Sequence, residues 1–124
     1  MARSTTETPV AELAKRAAEI VLENKGTDVV MLNLKGVTDM TDFFIIASGT
    51  SDTHVRALGE HVLEDMKKDL GARANHVEGL QSGRWVLLDY VDFVVHIFHP
   101  SLRQFYQLER LWGDAEVVHV GGQA

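Results

Sequence analysis

The chain contains no cysteine. A disulfide framework, a thiolate metal site and a cysteine nucleophile are therefore excluded, and a reducing cytoplasm is compatible with the composition. Long apolar runs are also missing: the N-terminus, MARSTTETPVAELAKRAAEI, has no continuous hydrophobic region, and no stretch approaches the ~20 apolar residues that cross a bilayer. The expectation is a cytoplasmic protein without membrane contact. An excess of positive charge is lacking as well, the formal net charge being −6. Proteins that neutralise phosphates gather Lys and Arg on one face, so little direct contact with nucleic acid is expected. An acidic surface would instead attract and orient a basic protein.

What is present is ordinary for a folded domain. At 124 residues, with 45% apolar and 24% charged side chains, the chain suits one core that buries roughly two-thirds of the unfolded surface. Residues 1–8 are polar and read as a flexible lead-in. Thr8 is placed to cap a helix with Pro9 at its first position, and Val10, Leu13, Ala14, Ala17, Ile20 and Val21 fall on one face of that helix, which should end near Gly26. DVVMLNL (28–34) and DFFIIAS (42–48) read as strands, the second apolar enough to be buried on both faces. Ser51 or Asp52 can cap a helix in which Val55, Leu58, Val62, Met66 and Leu70 recur at spacings of three and four, closed by Gly71.

ARANHVEG reads as a short strand, and RWVLLD with DFVVHIF as a hairpin around the turn Asp89-Tyr90-Val91-Asp92. Ser101 can cap a last helix ending at Gly113, and residues 115–124 are left as a tail. The expected architecture is a single compact α/β domain over residues 9–114, with a mixed sheet of about five strands covered by helices in the order α-β-β-α-β-β-β-α.

Three chemistries compete for this frame. Six histidines invite a metal, but His54 and His61 stand two helical turns apart, about 10.5 Å, and His96 and His99 point to opposite sides of an extended segment. No metal and no cofactor are expected. GTSD, between a strand and a helix, resembles the Gly-Ser loop of nucleotidyltransferases, where amides hold phosphate. That reaction also needs a convergent carboxylate pair, and Asp89 and Asp92 flank a turn; capping and turn stabilisation explain these residues as well. A Gly-x-Ser-x-Gly elbow is absent. The third possibility is recognition through aromatic anchors, for which Trp85, Phe105, Tyr106 and Trp112 are available, with Trp112 the better core residue beside Leu108 and Leu111.

Three motifs, in order, resemble one family. DMTDFFIIASGTSDTHVRAL, EGLQSGRWVLLDYVDFVVHIFHP and RQFYQLERLWGD are similar to the ribosomal silencing factor (RsfS, or iojap) family, over residues of about 10–114. The resemblance implies a nucleotidyltransferase-like fold without a catalytic signature. It further implies binding to ribosomal protein uL14 on the large ribosomal subunit, obstruction of subunit joining, lower translation when nutrients are scarce, and a homodimer when free. Carried onto this sequence, the family's interface gives Trp85 and Tyr106 as anchors and Asp89, Asp92 and Glu109 as acidic rim residues, with His96 either interfacial or structural. The alternative function is a nucleotide-binding or nucleotidyltransferase-type enzyme using GTSD with Asp89 and Asp92.

Overall fold

The structure, a computed structural model, describes residues 9–105 and 115–121. Helix α1 runs Val10–Glu23 and is followed by β1 (Thr27–Asn33), β2 (Phe43–Ser48), α2 (Asp52–Leu70), β3 (His76–Glu78), β4 (Trp85–Asp89), β5 (Phe93–Phe98), a 3₁₀ helix at Pro100–Phe105, and β6 (Glu116–Gly121). The first seven elements follow the expected order. The strands form one mixed sheet in the order β3-β4-β5-β2-β1-β6.

The local signals that bound α2 act as their chemistry suggests. Ser51, in extended backbone, accepts the amide of His54 at 3.1 Å, and Gly71 leaves the helix in the left-handed region at φ 66. The start of α1 differs from expectation. Pro9 is itself the cap, with ψ 145, and its carbonyl accepts the amides of Glu12 and Leu13; Thr8 lies outside the described residues. The helix ends at Glu23, and the Asn24 side chain binds back to the Ile20 carbonyl at 2.8 Å.

Both long helices pack on one face of the sheet. Ala14, Ala17, Ile20 and Val21 of α1 join Val55, Leu58, Val62 and Met66 of α2 over Val29, Met31, Ile45, Val86, Val95 and Ile97. A smaller cluster on the other face holds Val30, Leu32, Leu34, Ile46, Phe98 and Ala115, with Phe44 and Leu102 against it. β2 is buried on both faces, as its continuous apolar run implies.

Two features of the sheet differ from the sequence reading. It has six strands rather than five, because residues 116–121, read as part of a tail, pair antiparallel with β1. The segment is short and its pairing partner is more than eighty positions away, so no local pattern shows that it joins the sheet. The antiparallel part is also larger than one hairpin: only β2 and β5 run parallel.

The last helix begins differently as well. His99 takes the capping role given to Ser101: its Nδ1 accepts the Ser101 amide at 3.1 Å and its carbonyl accepts that of Leu102. The remainder of the expected helix, residues 106–114, lies outside the described residues.

The β4–β5 turn is strained. The Asp92 amide returns to the Tyr90 carbonyl at 2.8 Å with Val91 between them at φ 73, a γ-turn of the positive-φ kind. A β-branched residue is unfavourable there, and Val91 is 56% exposed, so burial offsets little of the cost. Val91→Gly is therefore expected to stabilise the protein by about 1 kcal/mol, relief of strain exceeding the added unfolded-state entropy. A higher urea midpoint at unchanged slope is the measurement that checks it.

Candidate functional site

Strand alternation decides which side chains face the helices. Val86 and Leu88 enter the helix-covered core, so Trp85, Leu87 and Asp89 point to the opposite face. Register extends that face across two more strands. Trp85 lies opposite Phe98, Leu87 opposite His96 and Asp89 opposite Val94, while Val94, His96 and Phe98 lie beside Phe44, Ile46 and Ser48. The result is a sheet face rich in aromatic rings, with α1 and α2 behind it.

Trp85 is its most prominent member. The side chain opens β4, is 45% exposed, and stands with its ring centroid 5.1 Å from Phe98. Its indole Nε1–H donates to His96 Nδ1 at 3.2 Å. Because an indole N–H can only donate, that nitrogen of His96 must be the acceptor, and the ring is the neutral tautomer protonated at Nε2. His96 is 5% exposed, and burial pushes its pKa down from 6.5 to about 4, so it stays neutral at physiological pH. Phe44 meets the imidazole edge-to-face at 4.7 Å, and among the described residues Nε2 has no hydrogen-bond partner.

The five interface residues expected from sequence are placed as follows. Trp85 and Asp89 share the sheet face away from α1 and α2, about 13 Å apart along β4. Asp89 Oδ1 accepts the Val91 amide at 2.7 Å, which ties part of its carboxylate to the turn, and Asp92 is exposed beyond it. Tyr106 and Glu109 lie outside the described residues. Sequence reasoning left His96 between two roles and did not find its bond to Trp85, since only strand register shows that positions eleven apart meet.

The GTSD loop is built for structure. The Gly49 amide donates to the Phe98 carbonyl at 3.0 Å, the Thr50 amide to His54 Nδ1 at 2.9 Å, and the His54 amide to Ser51. His54 Nε2 in turn reaches the Asn24 carbonyl at 2.9 Å, joining the loop to the end of α1. Gly49 is required because a Cβ there would lie 2.8 Å from Val55 Cγ2. Asp89 and Asp92 stand elsewhere: Asp92 bonds to Asp42 at the start of β2, whereas GTSD follows its end, about 20 Å away along the strand. Nucleotide with magnesium is accordingly expected to leave the melting temperature unchanged, and a dose-dependent rise would contradict this placement. Among the described residues no group of three or more His, Asp or Glu side chains converges as a metal site, and no helix is long and apolar enough to cross a membrane.

The chain as a whole is similar to known proteins. A family model described as "Ribosomal silencing factor during starvation" matches residues 6–123. The ribosomal silencing factor of Halalkalibacterium halodurans is 41% identical over 111 residues, covering 90% of this chain and 94% of that protein. A crystal structure of a protein from Chromobacterium violaceum superposes with a TM-score of 0.81 at 36% identity, covering 86% of this chain and 88% of that one. A mouse protein named for mitochondrial assembly of the ribosomal large subunit is 31% identical over 96 residues, which are 75% of this chain and 42% of that protein.

Proposed function

The chain belongs to the ribosomal silencing factor family, and on that premise we propose that it binds the large ribosomal subunit through ribosomal protein uL14 and blocks joining of the small subunit by its bulk. The effect is repression of translation under nutrient limitation. No bond is made or broken, no cofactor takes part, and the protein is not an enzyme. It works in the cytoplasm and is a homodimer when free.

The observation that carries this reading is Trp85, a large aromatic side chain left 45% exposed on a sheet face whose two long helices lie behind it. Exposed aromatics that combine area with rigidity are the residues most often found as anchors of protein interfaces. The net charge of −6 suits a basic ribosomal protein, and the mouse relative's name connects this family with the large subunit. Tyr106 is proposed as the second anchor, with Asp89, Asp92 and Glu109 on the rim. Rim carboxylates act mainly on encounter, so their replacement should slow association more than it speeds release.

Capture of the protein by immobilised uL14, and by intact large subunits at the same sites, tests the proposal. Binding to neither surface removes it.

A further inference from the structure

An anchor works best when its ring is already held in place. A half-exposed tryptophan at the first position of a strand has two free side-chain torsions, and a mobile ring gives up conformational entropy on docking. Here the ring is fixed from within the sheet. Its only polar atom donates to His96 Nδ1, its ring packs on Phe98 at 5.1 Å with a tilt of 35°, and His96 itself lies parallel to Phe98, within 7°, at 6.2 Å. Phe44 meets His96 edge-to-face at 4.7 Å. Four rings from β4, β5 and β2 thus form one cluster with His96 at its centre.

We propose that His96 is a positioning residue for docking: by accepting the indole N–H through Nδ1, it holds Trp85 across Phe98 in the orientation that a partner protein meets. This rests on Trp85 being the anchor. Since the indole N–H is already used internally, Trp85 offers its partner apolar area alone. The partner surface opposite it is therefore an apolar pocket, without a hydrogen-bond acceptor aimed at the indole nitrogen.

The test is a double-mutant cycle read as affinity for isolated large subunits. His96→Phe keeps a ring beside Phe44 and Phe98 but removes the acceptor; Trp85→Phe removes the donor. A residue that acts only through Trp85 loses its effect once the indole is gone. Expected are about a tenfold loss for H96F in the parent background and less than a twofold further loss in W85F. The same loss in both backgrounds would show a general structural role and overturn the proposal.

His96→Asn, which returns an oxygen near the Nδ1 position, should recover part of the affinity, and it serves alone if H96F does not fold; an Asn variant no better than H96F overturns the acceptor role. The indole N–H proton resonance, measured in a Trp112→Phe background, should move in H96F and stay near its parental position in H96N. An unmoved resonance in H96F disproves the bond. If that resonance moves as expected while W85F and H96F bind like the parent, the hydrogen bond stands and it is the anchor reading that fails.

Discussion

Replacing Trp85 by alanine is expected to weaken binding to the large ribosomal subunit about thirtyfold, corresponding to a loss of about 2 kcal/mol, while the protein remains folded. The fold should survive because Trp85 is itself 45% exposed and Val86, the next residue, supplies the strand's contact with the helices. The affinity should not survive because truncation removes the most exposed ring of this face among the described residues and uncovers Phe98, on which it lies at 5.1 Å. Asp92→Asn, at an exposed rim position, should cost several-fold less, and its effect should fade with added salt. Co-sedimentation with large subunits over a concentration series, with circular dichroism as the control for folding, measures both variants. Equal affinity of W85A and parent would place the interface elsewhere.

The second large effect is on stability in acid. Burial among Trp85, Phe98 and Phe44 holds the His96 pKa at about 4, against 6.5 for an ordinary histidine. Between those values the unfolded chain takes up a proton that the folded protein refuses, so stability falls as pH drops through this window and is fully present above it. The contribution is about 3 kcal/mol across the whole window, of which about 2 kcal/mol is already lost at pH 5. Protonation would also set an N–H of His96 against the indole N–H, so the acid form cannot hold Trp85. Urea unfolding at pH 7 and pH 5 should therefore show a large drop for the parent and a smaller one for His96→Phe. Equal drops in the two proteins would mean that His96 is not the group responsible.

Much of the scaffold was legible from local patterns because its causes are local. The spacing of Val55, Leu58, Val62 and Met66, the Ser51 cap and the Gly71 stop specify α2 within one segment of chain, and the structure places all of them as expected. The Asp89 to Asp92 turn is similar: its acidic side chain and its tight reversal are contiguous, and Asp89 does bind the Val91 amide. What escaped the sequence depends on pairing between distant segments. Whether Glu116–Gly121 joins the sheet depends on the free edge of β1, and the parallel match of β2 with β5 depends on the crossover through α2, β3 and β4. The candidate face has the same origin. Trp85 could be singled out by its size, but its company of Phe44, His96 and Phe98 exists only once three strands are in register.

Even the capping of the last helix shows how little separates such alternatives. Ser101 has the right chemistry, yet His99 stands two residues earlier with an acceptor in reach of the Ser101 amide, and its other ring nitrogen lies 3.6 Å from Asp52. A tertiary contact with the start of α2 favours the histidine, and no windowed pattern contains that contact.

The most direct measurement is a reassociation assay with purified ribosomal subunits. Large subunits are incubated with the protein, small subunits are added under joining conditions, and joined ribosomes are separated on a sucrose gradient. The expected result is that the protein travels with free large subunits and the joined peak falls in proportion to its occupancy, while W85A leaves that peak intact at the same concentration. If subunits join to the normal extent with the parent protein bound at saturation, steric obstruction by this face is contradicted.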